Sequence, residues 1–307
     1  MTSVAPLPLI LIEPLVRAAL LEDLGRAGDI TTDSIVPAET SARLALNARQ
    51  AGVVAGLDLA ALAFRLIDPA IRFETIRPDG SAVAPGDVLA LVEGPARGML
   101  TAERVALNFL GHLSGIATAT AAIVTAVRPH GARVTCTRKT MPGLRMVQKY
   151  AVRAGGGANH RFGLDDAVLI KDNHIAVAGG IRPAVERARA AIGHLVKVEV
   201  EVDTLDQLRQ VLSLPVDAVL LDNMTPEQLR EAVRLVDGRL ITEASGRITA
   251  AIAPQVAASG VDLISVGWLT HSATVLDIGL DAEDAPAPVP RRETEGPAHA
   301  PSAVEFG

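Results

Sequence analysis

Residues 196–222 read VKVEVEVDTLDQLRQVLSLPVDAVLLD, and the pattern changes period twice within that stretch. Strict alternation in VKVEVEV predicts a strand with Val on one face and Glu199 and Glu201 on the other. TLDQLRQVL has helical spacing, and DAVLL is again a short apolar run of the kind a buried strand needs. A strand, a helix and a strand in succession build a parallel pair with a helix laid over it.

The same alternation extends in both directions from there. RVTCT, AVLI, VKVEVEV, DAVLL, RLIT and DLISV read as strands, while PAVERARAAI, TLDQLRQVL and TPEQLREAVRLV read as helices. Such a set suits an open doubly wound sheet or an α/β barrel. The polar residues favour the barrel. Arg138 and Lys139, Lys171, Glu201, Asp222, Ser245 with Gly246, and Gly267 each stand at a strand end or just past it. An open sheet gathers its ligand residues at one switch point, whereas a barrel draws them from the carboxyl ends of many strands around one mouth. Carboxylates pointing into a barrel need cations to offset their desolvation. Glu201 and Asp222 beside Lys139 and Lys171 suit a Mg2+ ion with its waters, ribose hydroxyls and a positively charged ribosyl carbon, or a structural ion network. Ser245–Gly246 and Gly267 follow strands and open helices, so their backbone N–H groups suit a phosphate.

The cations are concentrated in one place. No Asp or Glu occurs from Pro129 to Leu164, yet Arg133, Arg138, Lys139, Arg145, Lys149, Arg153 and Arg161 do, in a chain of formal net charge -6. One charge pair at 4 Å is worth about 1 kcal/mol in water, so several cations must converge to hold a small anion. Arg138–Lys139, His160–Arg161 and Lys171 follow apolar runs or glycines, where a ligand can approach; Arg133, Lys149 and Arg153 suit decoration of helix ends equally well.

Three motifs here, TRKTMPGLR, KYAVRAGGGANHR and LIKDNHI, in this order and spacing, resemble the quinolinate phosphoribosyltransferase family. An early GDITT and a later S-G and S-V-G turn resemble it too, and the likeness covers about residues 10 to 282. The resemblance implies an N-terminal α/β sandwich (1–114, with 275–282 returning to it), an incomplete α/β barrel of fewer than eight strands (115–274), and a tail (283–307) outside both. It implies phosphoribosyl transfer from phosphoribosyl pyrophosphate (PRPP) to quinolinate with decarboxylation, using Mg2+. On that reading Arg104, Arg138, His160, Arg161 and Lys171 hold quinolinate. Lys139, Glu201, Asp222, Ser245, Gly246 and Gly267 hold PRPP, with Glu201 and Asp222 on the metal, and Lys139, Lys171, Glu201 and Asp222 form the catalytic set. Arg104, in the ER-x-x-LN segment, is implied to reach the site of a neighbouring subunit in a homodimer; higher association stays open. Met141, Gln148 and Trp268 depart from the family pattern, and Trp268, beside a phosphate turn, is expected to narrow it.

In the N-terminal half, Glu13 to Leu24 predicts a helix ending at Gly25, and Asp29, Thr31 and Thr32 suit turn and cap chemistry. Ser41 to Glu93 reads as strands and turns; its GxxVxxGDVL cadence resembles a biotinyl hairpin, but no lysine precedes Lys139 to be modified. From Thr101 a long helix is expected, broken at Gly111 or Gly115. The tail after Asp281 has the composition of a disordered segment.

Composition narrows the function classes. Seven aromatics and a pI near 5.7 fit no nucleic-acid partner. Cys136, the only cysteine, excludes an intrachain disulfide and fits a cytoplasmic protein. The apolar N-terminus lacks a basic leader, and no uninterrupted run is expected to span a bilayer. The alternatives are a paralogous phosphoribosyltransferase linked to molybdate transport, a Schiff-base aldolase using Lys139 or Lys171, and a non-catalytic anion-binding protein.

Overall fold

The computed structural model describes residues 4–282. The first half comprises α1 (Leu9–Leu24), α2 (Ile30–Ile35), β1 (Ser41–Ala48), β2 (Gly52–Val53), α3 (Leu57–Ile67), β3 (Arg72–Thr75), β4 (Ala82–Val83), β5 (Val88–Pro95) and α4 (Ala96–Val127). The second comprises β6 (Arg133–Thr135), α5 (Arg145–Ala154), β7 (Val168–Ile170), α6 (Asp172–Ala178), α7 (Ile181–Ala191), β8 (Val198–Val202), α8 (Leu205–Val211), β9 (Ala218–Asp222), α9 (Pro226–Val236), β10 (Ile241–Ser245), α10 (Ala253–Ala257), β11 (Leu263–Ser265) and β12 (Ile278–Ala282).

The antiparallel sheet of the first half has the order β12-β1-β5-β3, so the last described strand returns to the first region. Helices α1, α3 and α4 bury Ile12, Val16, Phe64, Met99 and Leu110 in one core with β1 and β5. Residues 57–67, expected among strands and turns, are helical. Leu57, Leu59, Ala60, Leu62, Ala63 and Phe64 are buried, while Asp58 and Arg65, two turns apart on the other face, are not, so the segment carries the one-sided pattern of an amphipathic helix that the short apolar runs around it masked. Asp29 caps α2, its Oδ1 accepting the Thr32 N–H at 2.9 Å.

Helix α4 is unbroken, contrary to the sequence expectation. Its glycines serve another purpose: a Cβ at Gly115 would strike the Thr274 carbonyl oxygen, and one at Gly111 would lie 2.9 Å from the Leu276 oxygen. They admit a crossing chain rather than a kink. The helix also revises the bilayer reading. Ala96–His130 is long and apolar enough, at mean hydropathy 1.5, to meet the length and composition of a membrane span. Its apolar surface is nevertheless core: Met99 to Ala117 belong to the first cluster, and Ile123 and Val127 to the second. The boundary expected at 114/115 therefore falls inside a continuous helix.

The second half is a six-stranded, wholly parallel sheet of order β6-β11-β10-β9-β8-β7. Between the edges β6 and β7 only an isolated bridge, Thr135 to Ala158, continues the pairing among the described residues. The result is an incomplete barrel. Capping boxes start two of its helices, Thr204 with Gln207 and Thr225 with Gln228, and each cap is worth about 1 kcal/mol. The 283–307 tail lies outside the described residues.

Candidate active site

Strand register decides which side chains share the inner face of the sheet. Leu169 pairs with Glu199, Glu201 with Leu220, Leu220 with Glu243, and Asp222 with Ser245. Directly opposed residues project to the same side. Glu199, Glu201, Asp222, Glu243 and Ser245 therefore share one face, while Val198, Val200 and Val202 turn toward the helices and are fully buried. Lys171, one residue past β7, is on the Leu169 side, and its Nζ donates to Glu201 Oε2 at 2.6 Å. Asp222 Oδ2 accepts from Asn223 Nδ2 at 2.5 Å.

His160 stands between two inner-face acids. Its Nε2 is 3.1 Å from Glu199 Oε2 and 3.6 Å from Glu243 Oε1, and its Nδ1 accepts the Arg161 backbone N–H at 2.7 Å. An Nδ1 that accepts an amide leaves the proton on Nε2, donated to Glu199. Both ring nitrogens are thus engaged by the protein, and Nδ1 orients the Arg161 backbone. Burial, and then the charge of Glu199, holds Glu243 well above the usual carboxylate range. Burial opposes charge on His160, but the Glu199 hydrogen bond and the two carboxylates outweigh it and raise its pKa. His160, Glu199 and Glu243 are also the group of described residues compact enough to hold a metal, with ligand atoms within 4.8 Å of one another. The His160–Glu199 hydrogen bond and the His160–Glu243 contact make it an ion group in its own right as well, in which Glu243 Oε1 is buried without a hydrogen-bond partner.

Lys149 itself is no decoration. It is fully buried, and its Nζ donates to the carbonyls of His160 and Arg161 at 3.0 and 3.1 Å and contacts Cys136 Sγ at 3.1 Å. Arg145 adds a second tie, from Thr140 Oγ1 to the Phe162 carbonyl. Between these struts two guanidinium nitrogens, Arg138 Nε and Arg161 Nε, are buried with no hydrogen-bond partner. Burial and the nearby charge of Arg138 lower the pKa of Arg161. Arg133 and Arg153 are exposed and take no part.

Opposite lie the glycine turns. Gly246 has φ 106°, and a Cβ there would lie 2.8 Å from the Asn223 nitrogen, so the turns after β9 and β10 are pressed together. A Cβ at Gly267 would meet Lys139 Cδ at 2.9 Å, which shows the Lys139 side chain lying along that turn. Trp268 does not narrow the turn as expected: its ring packs on the barrel core and its Nε1 donates to the Ile248 carbonyl at 2.9 Å. Gln148, fully buried, links Met141 N to His112 Nε2, at 3.0 and 2.9 Å.

Strand ends and loops thus bring together Arg138, Lys139, His160, Arg161, Lys171, Glu201, Asp222, Ser245, Gly246 and Gly267. Arg104 is apart from them. Its side chain is 64% exposed, its nearest ion-pair partner is Glu103 at 4.0 Å, and it lines a groove with Leu107, Asn108 and Asp277. Sequence reasoning missed Glu243 and Lys149. Strand parity would have found Glu243, two residues before Ser245; Lys149 lies one turn from both Arg145 and Arg153, and nothing in that spacing separates it from them.

Residues 29–114 match the quinolinate phosphoribosyl transferase N-terminal domain, and residues 116–281 match the C-terminal domain of the same family. The chain belongs to the quinolinate phosphoribosyltransferase family. It is 43% identical over 270 residues to a probable carboxylating nicotinate-nucleotide pyrophosphorylase of Bacillus subtilis, spanning 88% of this chain and 93% of that one. With the Mycobacterium leprae enzyme of the same name it shares 46% identity over 274 residues, 87% of this chain and 95% of the other. Among solved structures, NadC from Streptococcus pyogenes superposes with a TM-score of 0.87 at 42% identity, covering 91% of this chain and 100% of that one. The six-stranded incomplete barrel with its antiparallel partner sheet is thus the architecture of quinolinate phosphoribosyltransferases.

Proposed function

We propose that this chain transfers the phosphoribosyl group of PRPP to quinolinate with loss of CO2, giving nicotinate mononucleotide and pyrophosphate in de novo NAD biosynthesis. The relatives are named for this carboxylating pyrophosphorylase activity. The observation that carries the reading on the structural side is the pair of orphaned guanidinium nitrogens, Arg138 Nε and Arg161 Nε. Buried donors without acceptors are costly, and a ligand with two adjacent carboxylates offsets that cost by meeting two planar forks at once.

In this arrangement Arg138 and Arg161 orient quinolinate, with Lys171 beside them, while Lys139 and the Ser245–Gly246 and Gly267 turns receive the phosphates of PRPP. The pyridine nitrogen bonds to the anomeric carbon as the bond to pyrophosphate breaks. Glu201 and Asp222 face the cationic ribosyl carbon and Lys139 the departing pyrophosphate. The ring nitrogen, now cationic, draws in the electron pair of the C2–carboxylate bond as CO2 leaves, and C2 takes up a proton. No protein nucleophile is required; positioning and fixed charge supply the acceleration. The pairing of Lys171 with Glu201 also counts against an aldolase, since that amine is engaged by a carboxylate.

Mg2+ suits the donor set. One oxygen of Glu201 is held by Lys171 and one of Asp222 by Asn223, and the remaining hard oxygens fit an ion that keeps most of its waters. When bound, it would neutralise charge on the pyrophosphate. The exposed Arg104 supports a homodimer in which each protomer completes its partner's site, and a buried, unpaired Cys136 supports a cytoplasmic setting.

The test is to incubate the protein with quinolinate, PRPP and Mg2+ and to follow nicotinate mononucleotide, CO2 and pyrophosphate together. Equal yields of all three are expected. Binding of quinolinate without pyrophosphate release would reduce the protein to an anion binder. A borohydride-trapped adduct with a carbonyl substrate would make it an aldolase.

A further inference from the structure

We propose that the turn Trp268–Leu269–Thr270 is a positioning element that holds the three donor-side loops at a fixed spacing; this rests on the assignment of those loops to PRPP. The turn follows Gly267 directly and sends a side-chain hydrogen bond to each of the other two loops. Trp268 Nε1 donates to the carbonyl of Ile248, in the loop that Ser245–Gly246 begins, at 2.9 Å. Thr270, fully buried, donates through Oγ1 to the carbonyl of Lys139 at 2.7 Å and lies 3.3 Å from the Gly267 carbonyl. The sheet does not otherwise fix these loops to one another: β6 ends at Thr135 and its last paired residue is Thr135, four residues before Lys139. The pairing of β10 with β11 stops at Ala244, before the Ser245–Gly246 turn.

The spacing so fixed matters chemically. Lys139 lies along Gly267, with Nζ 3.7 Å from the position of a Cβ there, so a shift of the Lys139 backbone moves the ammonium relative to both glycine turns. A donor carrying phosphates at two ends must meet the ammonium and the backbone N–H groups simultaneously, and misplacement of even one end lowers affinity for that substrate first. The acceptor side has a strut that does not pass through this turn, Lys149 on the His160 and Arg161 carbonyls, whereas Arg145 bonds Thr140 in the Lys139 loop itself.

Two near-isosteric variants and the native fluorophore test the proposal. Trp268→Phe keeps a ring and removes the N–H; Thr270→Val keeps the shape and removes the hydroxyl. Each is expected to raise KM for PRPP about tenfold, from the loss of one hydrogen bond, and to leave KM for quinolinate within about twofold. Thr270→Ser restores the hydroxyl and is expected to recover the donor KM. Trp268 is the only tryptophan, so emission of the unmodified protein reports on this turn. It is expected to shift on titration with PRPP and Mg2+, and not with quinolinate alone. Unchanged donor KM in both variants, an equal rise in both KM values, or emission blind to PRPP would overturn the brace. If a variant fails to fold, the emission titration of the unmodified protein still decides. Absence of product from the unmodified protein would instead remove the functional reading on which the brace rests, so the two failures are told apart.

Discussion

The two sides of the inner face are held in different ways. Around His160 and Arg161 the ties are side chains driven into the core: a fully buried Lys149, Arg145 reaching across two loops, and an imidazole locked between acids. Around Gly246 and Gly267 the working surface is backbone, compacted by the positive φ of Gly246 and by the absence of Cβ atoms at both glycines. The difference follows from what each side meets. A flat dicarboxylate is recognised by forked cations whose planes must not tilt, which demands a rigid second layer. Phosphates accept from any convergent set of N–H groups, and a glycine turn supplies them with little side-chain ordering. The acceptor side should therefore be sensitive to buried substitutions, the donor side to exposed charge and turn geometry.

The sharpest way to break that comparison is Lys139→Ala. Turnover is expected to fall about 10²–10³-fold, the cost of losing a charge that meets developing negative charge, while calorimetry shows quinolinate binding unchanged. A variant that loses quinolinate binding yet handles the donor normally would reverse the two sides. Next is Lys149→Met, which keeps the stem and strands two buried carbonyls. Quinolinate KM is expected to rise about 10–100-fold, and urea unfolding to show a loss of about 2–6 kcal/mol, since each of the two unsatisfied groups costs about 1–3. A stability loss with quinolinate KM intact would make Lys149 merely structural.

A smaller effect tests whether one chain suffices. Arg104→Ala and Lys171→Ala homodimers are each expected to be nearly inactive. Refolded together in equal amounts, half the dimers are mixed and each has one intact site, so activity should recover to about a quarter. No recovery, with mixed dimers verified by mass, would place Arg104 in its own protomer's site. The smallest effect concerns Glu243→Gln. A carboxyl whose pKa is raised in the fold contributes stability that is full below the ordinary carboxylate range and lost as pH rises through the folded value. His160, also raised, adds in the same direction. Native protein should therefore lose stability relative to Glu243→Gln between about pH 5 and pH 8, read by urea unfolding at both ends. Parallel profiles would mean that Glu243 stays ionised.

What the chain reveals on reading follows the same division. The strands from RVTCT to DLISV and the polar residues at their ends were legible, because alternation and strand termini are local. The glycine turns were legible too, since glycine marks its own conformational use. Helix α3 was not, although Asp58 and Arg65 mark a polar face at helical spacing, because the short apolar runs on either side of it are strands and the segment reads as one more of them. Lys149 was not, because its acceptors, the carbonyls of His160 and Arg161, lie eleven and twelve residues away and only the folded loop turns them inward. Trp268 suggested obstruction from its size, but the Ile248 carbonyl twenty residues upstream turns its ring aside.

The crossing at Gly111 and Gly115 bears on how the molecule comes apart. Leu276 N donates to the Gly111 carbonyl at 3.0 Å, and β12 then pairs with β1, so the chain leaves for the barrel and comes back through one narrow neck. The barrel is in effect a long insertion whose two ends are knotted to each other by contact rather than by covalent bond. Closing so long a loop carries an entropic cost that grows only slowly with its length, and the neck bears it once for the whole insertion. Because one limb of the neck is a helix rooted in both cores, neither core can melt and leave its neighbour undisturbed. A bulkier residue at Gly115 would push out the returning limb and uncouple the two halves at a point away from the inner face of the sheet, while disturbing the groove that limb shares with Arg104.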